Sequence, residues 1–174
     1  VATFASNINR IQQVLDAAAK FNRKVVISGR SMINNINIAK ELGYLNFRDG
    51  LIVELNEAKI LQDKKLVIVC TGTQGEPMSA LSRIANGTHQ HFACNAGDRV
   101  IITASVIPGN ERTVSVVINS LMKMGANVFY ENDDNVHVSG HASQEELKLM
   151  ISLIKPKFFM PVHGEHKHLK AHAR

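Results

Sequence analysis

Two short histidine loops hold most of the chemistry available to this chain. One is His137-Val138-Ser139-Gly140-His141-Ala142-Ser143, and the other is Pro161-Val162-His163-Gly164-Glu165. Six of the eight histidines lie after residue 136. Imidazole changes charge near neutral pH and is a common metal ligand. The small residues around it let a backbone come close to a ligand. His141 stands just before a predicted helix start, where unpaired N–H groups and the positive end of the helix favour a phosphate. From there it could donate a hydrogen bond to that phosphate, or a proton to a leaving oxygen. His163 follows an apolar run and is flanked by Gly164, which leaves room for a metal. Both loops border one helix-plus-strand unit, so together they point to a site for phosphate or metal.

The elements that must position these loops alternate along the chain. A strand is expected at Val1–Ala5. Ile8, Ile11, Val14, Leu15, Ala18 and Ala19 then mark one face of a helix by their spacing. Lys24–Ser28 reads as a strand, and Met32–Leu42 as a helix closed by Gly43. Asn56 is expected to cap a short helix, Glu57–Leu61. Leu66–Cys70 is apolar throughout, as buried parallel strands are. A helix over Ser79–Ala85, a strand over Arg99–Ala104, a helix over Glu111–Met124 and a strand over Asn127–Tyr130 complete the pattern. This is an α/β order: a mostly parallel sheet with helices on both faces, Rossmann-like in architecture. Such sheets bind ligands at the carboxyl ends of their strands. The loops there are Ser6-Asn7, Ser28 to Ser31, Thr71 to Glu76, and Ser105 to Gly109. All offer hydroxyls and backbone N–H groups to an oxyanion, although turns and helix caps use the same residues.

Past Tyr130 the character changes. Residues 131–135 are a polar linker, so a first domain is expected over 1–135 and a piece of a second over 136–174. Ser143 and Glu146 form a capping box for a helix whose buried face is Leu147, Met150, Ile151 and Ile154, ended by Pro156. Lys157–Met160 is expected as a strand and residues 165–173 as a helix. That helix would set His168 and His172 on one face, a pair able to capture Zn²⁺ or Ni²⁺ adventitiously.

Composition narrows the class. Hydrophobic residues at 45% with 20% charged describe a globular chain, not a disordered one. No apolar run reaches the 18 residues of a membrane span. The start has no basic leader, no Met, and opens on a strand-like run, so a piece of a longer cytoplasmic protein is expected. Cys70 and Cys94 form no motif, and Cys70, which ends an apolar run, reads as a reduced core thiol. The net charge of +5 suits an anionic partner, while the lack of Trp and the scarcity of other aromatics argue for phosphate contact over base stacking. There is no G-x-G-x-x-G and no phosphate-binding P-loop.

Seven stretches, in order along the chain, resemble the ribonuclease J family, in the β-CASP branch of the metallo-β-lactamase-fold nucleases. They are Ala5 to Ile8, Ser28 to Met32, Cys70 to Pro77, Ile84 to Gly87, Pro108 to Asn110, His137 to His141, and Lys155 to Glu165. The resemblance implies an RNA-processing and RNA-decay nuclease, acting 5′→3′ and internally, with two zinc ions. It implies that His163 is the last histidine ligand of one zinc and His141 the catalytic histidine near the scissile phosphate. His137, Ser139 and Gly140 would contact substrate phosphate. Ser6 and Arg30 are candidates for the pocket that receives the RNA 5′ end. Homo-oligomers, or pairing with a paralogue, are also implied.

One departure matters. The family's main zinc motif, H-x-H-x-D-H, is absent. His89-Gln90-His91 has only its first spacing, and both side chains are expected to face solvent. The chain therefore resembles a β-CASP domain plus the first returning segment of a metallo-β-lactamase domain. On its own it is expected to bind RNA and not to cut it. Two alternatives remain: a poorly catalytic paralogue that serves as an RNA-binding scaffold, and a nucleotide-binding α/β domain.

Overall fold

The computed structural model describes residues 1–130 and 141–173. It divides into two compact units, Val1–Val138 and Ser139–Arg174, each considered by itself below.

In the first unit, β1 (Lys24–Ser28) and β2 (Leu66–Cys70) pair in parallel from Lys24 opposite Leu66 to Ser28 opposite Cys70. β3 (Arg99–Ile101) and β4 (Asn127–Phe129) form a second parallel pair. The chain start joins the two. Ala2 bridges Cys70 on one side and Ile102 on the other. Its N–H donates to Ile101 O at 2.8 Å, and that of Thr3 to Cys70 O at 3.0 Å. Ile52 adds a bridge at the outer edge of β1. The sheet therefore runs Ile52, β1, β2, Ala2, β3, β4, all parallel. The expected strand over Val1–Ala5 is shorter than anticipated. Pairing stops at Thr3 because the chain turns next: Asn7 N–H donates to Phe4 O at 3.1 Å and the first helix begins.

Helices cover both faces. Neighbouring strand residues point to opposite sides, and here the core clusters divide along that line. Val25 and Val69 pack with Ile11, Leu15 and Ala18 of α1 (Ile8–Lys20) and Met32, Ile36 and Ala39 of α2 (Arg30–Glu41). Val26 faces the other way, toward Val53 and Ala58 of α3 (Leu55–Ala58). Cys70, Ile102 and Val128 pack with α4 (Ala80–Ala85) and α5 (Glu111–Lys123). The spacing of apolar residues in α1 and α2 is thus the imprint of one shared core. Asn56 does not cap α3. Val53 is held in the sheet by its N–H to Val25 O at 2.8 Å, so the helix must start at once, with Glu54 at the cap and Asn56 inside.

The second unit has a different economy. α6 (Gln144–Ile154) begins at Ser143, whose N–H donates to the Glu146 carboxylate at 2.6 Å. That bond also holds the Glu146 carboxyl below its usual range. The helix ends on Lys155 in the left-handed region (φ 48°), ahead of Pro156. α7 (His166–His172) follows. Two expectations are corrected here. Lys157–Met160 is irregular, since a strand exists only against a partner backbone and none lies beside it among the described residues. Leu147, Met150, Ile151 and Ile154 do share a face, lining an apolar cleft with Pro156, Phe159 and His172. They are not buried: Met150 and Ile154 remain 56% and 64% exposed. Leu149 and Leu153 are exposed as well, away from the cleft. A helix apolar on more than one side is built to be covered on more than one side.

Candidate phosphate-binding edge and histidine pair

Because the strands are parallel, the loops after them share one edge of the sheet. From Ala2 the chain passes β2 to reach β1, and from β2 it passes Ala2 to reach β3. The connections diverge between Ala2 and β2, the topological switch at which open α/β sheets bind ligands. Much of the polar character of these loops is nevertheless spent on the fold. Asn7 Oδ1 accepts from Arg10 N–H at 3.1 Å and caps α1. The Gln74 side chain is buried and staples two loops: its Nε2 donates to Ser105 O at 3.0 Å, and its Oε1 accepts from Ile107 N–H at 2.9 Å. Gly72 and Gly75 serve close packing. A Cβ on Gly72 would stand 2.3 Å from Ser79 Oγ, and one on Gly75 would stand 2.7 Å from the Thr113 carbonyl carbon. Ser6 and Arg30, the candidates for receiving an RNA end, are exposed at this edge.

The sequence reading missed one member of the edge. His91 is exposed as expected, but His89 is half-buried and bonded. Its Nδ1 accepts from His91 N–H at 3.3 Å and Phe92 N–H at 3.2 Å, and its ring stacks on Phe92 at 5.3 Å. Its Nε2 lies 3.1 Å from Ser28 Oγ, at the end of β1. Burial, then the charge of Arg83 and of His91, pushes the His89 pKa down, so the ring is neutral near pH 7. A neutral ring that accepts at Nδ1 carries its proton on Nε2. His89 therefore donates to Ser28 and cannot act as the base that would make Ser28 a nucleophile. Sixty-one positions separate the two residues, and no local spacing could have joined them.

In the second unit the structure brings two of the chosen histidines together. His141 and His163 stack with ring centroids 5.9 Å apart and an interplanar angle of 19°. Both are exposed. His163 has φ 79°, a conformation a side-chain-bearing residue rarely adopts, and Gly164 follows at 96°. The turn is fixed locally. His168 Nδ1 accepts from Glu165 N–H at 3.1 Å, and a Cβ on Gly164 would come within 3.2 Å of the His168 side chain. The helix expected over residues 165–173 is present as α7, but His168 is occupied with this cap and His172 packs edge-on against Phe159 at 5.0 Å. His137, Ser139 and Gly140 lie outside the described residues. No group of three or more His, Cys, Asp or Glu able to hold a metal ion occurs among the described residues. A catalytic zinc takes three protein ligands, so the described residues of this chain do not by themselves fit one. His163 is an available imidazole, not a complete site.

Comparison with known proteins extends the picture. The family model described as "Ribonuclease J, beta-CASP domain" matches residues 1–121. The one described as "Zn-dependent metallo-hydrolase RNA specificity domain" matches residues 126–174. The chain is 51% identical to Ribonuclease J of Helicobacter pylori (strain ATCC 700392 / 26695) over 172 residues, covering 99% of this chain and 25% of that protein. It is 52% identical to Ribonuclease J of Thermus thermophilus over 168 residues, covering 97% of this chain and 29% of that protein. Ribonuclease J 1 of Streptococcus pyogenes is 49% identical, with 99% of this chain and 31% of that protein covered. The chain thus spans about a quarter to a third of the length of these relatives.

Proposed function

The chain belongs to the ribonuclease J family, and from that premise we propose that it is the RNA-binding part of a zinc-dependent ribonuclease of RNA processing and decay, acting 5′→3′ and internally. The observation that carries this reading is the stacked pair His141–His163, in the segment matched by the zinc-dependent metallo-hydrolase description. In it, His163 is one metal ligand. His141 gives a proton to the oxygen that leaves the scissile phosphate, a general-acid role that imidazole side chains take. His137, Ser139 and Gly140 bind substrate phosphate, and Ser6 and Arg30 receive the 5′ end. The β-CASP domain covers 1–135 and the returning metallo-hydrolase segment 136–174; the two family matches, 1–121 and 126–174, and the two compact units support a chain in two parts. The other ligands of the two zinc ions come from outside this segment, in a cytoplasmic protein that self-associates or pairs with a paralogue.

The test is direct. The chain should bind 5′-monophosphorylated RNA without cutting it in Zn²⁺ or Mn²⁺. Binding should weaken steeply with salt, because phosphate contacts release counterions. Metal-dependent cleavage that co-purifies with the chain and disappears in His141→Ala would overturn the assignment of an incomplete site. Salt-independent binding would overturn phosphate recognition.

A further inference from the structure

The pair Ser28–His89 has no assigned role above, where Ser28 appears only as one residue of a hydroxyl-rich loop. It lies at the carboxyl end of β1, on the edge that carries Arg30. Four observations define its state. His89 Nδ1 takes two backbone N–H bonds, its ring is stacked on Phe92, its Nε2 meets Ser28 Oγ, and burial, with Arg83 and His91, disfavours a charge on it. Direction follows from these. The imidazole is the donor and Ser28 Oγ the acceptor, so the hydroxyl's own proton is left to point elsewhere. No other hydrogen-bond partner of Ser28 Oγ lies among the described residues. Gly29, next in the chain, has φ 130°, and a Cβ there would stand 3.3 Å from Thr71 Oγ1, so the loop after β1 is packed against the loop after β2. The hydroxyl is thus held by His89, and the backbone that follows it by Thr71.

We propose that Ser28 is a phosphate-binding residue at the sheet edge and His89 the positioning residue that aims its hydroxyl proton at an anionic phosphate oxygen of an RNA strand. This deepens the RNA reading above and rests on it. A serine hydroxyl in water rotates among partners. One whose lone pair is already engaged has fewer directions left in which to donate, and a donor restricted beforehand loses less freedom when a ligand arrives.

Substitutions separate this role from simple support of the loop. His89→Gln keeps an N–H donor near the Nε2 position. His89→Asn keeps an acceptor near the Nδ1 position and so keeps the loop bonds. The probe is a short oligouridylate, in 5′-phosphorylated and 5′-hydroxyl forms, bound to the whole chain. A hydrogen bond to a charged group is worth about 1.5–3 kcal/mol, so on the order of tenfold in affinity or more. Ser28→Ala, His89→Ala and His89→Asn should each lose about that factor, and His89→Gln should stay near wild type. Loss with both probes assigns an internal phosphodiester; loss with the phosphorylated probe alone assigns the terminal phosphate. Thermal unfolding of each variant identifies any that fails to fold. Nitrogen chemical shifts of the His89 ring read the tautomer without any RNA. Rescue by Asn and not Gln would reduce His89 to a loop support and overturn the proposal, as would equal binding by all variants or a proton found on Nδ1. Absence of binding by wild type would instead overturn the RNA reading itself, and this refinement with it.

Discussion

The two units solve the problem of holding a side chain still in opposite ways. The first does it by packing. Its strands pack into buried clusters on both faces, and its edge loops are cross-stapled by Gln74 and by glycines that admit no Cβ. The second has no buried residue in either helix, and Leu153 and Phe158 are 71% and 83% exposed. Its histidine turn is held instead by short-range devices: a left-handed His163, Gly164, and the bond from Glu165 N–H to His168. The stacked pair His141–His163 thus sits where burial is least. A turn that keeps its shape through local bonds can be formed before the surfaces that will cover it arrive.

Mutations can break this contrast. Leu121→Ala removes a fully buried side chain from the first unit and should cost about 2–5 kcal/mol in urea unfolding. Leu153→Ala should stay within about 0.5 kcal/mol, the ordinary range of a surface change. Comparable losses at both positions would show that the tail carries a core of its own. Gly75→Ala comes next. It places a methyl against the Thr113 backbone at a φ of 72°, and strain of this kind costs about 1–3 kcal/mol before the clash is counted. A variant as stable as wild type would mean that the loop is looser than its packing implies.

Acid sharpens the comparison through His89. Its folded pKa lies below the ordinary 6.5, so the unfolded chain takes the proton first. The stability it contributes is complete above about pH 6.5 and is lost as pH falls from there through the folded pKa. Unfolding midpoints measured at pH 7.5 and 5.5 should fall further in wild type than in His89→Gln; equal falls would remove His89 as the cause. The smallest effect belongs to the tail. Glu146→Ala removes the acceptor for Ser143 N–H and should lower the helical dichroism slightly without moving the main unfolding transition. A shift of that transition would tie the two units into one cooperative block.

The sequence was most legible where periodicity and burial coincide. Lys24–Ser28 and Leu66–Cys70 were expected with the bounds they have, because short β-branched apolar runs, Val-Val-Ile in the first and Leu-Val-Ile-Val in the second, favour a buried strand. The expected helices of the first unit fell within a few residues for the same reason. The rest was lost to long-range effects. Ala2 is a strand residue only because Cys70 and Ile102 flank it. Lys157–Met160 looks like a strand and has no partner to make it one among the described residues. His89 read as a solvated residue since its partner is Ser28, across the sheet edge, and no pattern within the loop reports that. His141 and His163 were singled out from their loops, and their rings do stack, but the left-handed turn at His163 is not announced by side-chain types alone.

The place of Ala2 has one more consequence. It is the middle of the sheet, yet its neighbours Cys70 and Ile102 are 68 and 100 positions further on. Closing such large loops is an entropic toll that local helices never face, and topologies rich in distant contacts fold slowly. On a ribosome, this end of the segment emerges first and must wait for both partners. The seam between β2 and β3 therefore cannot close before Ile102 has been made, and the β1–β2 pair must persist without it until then.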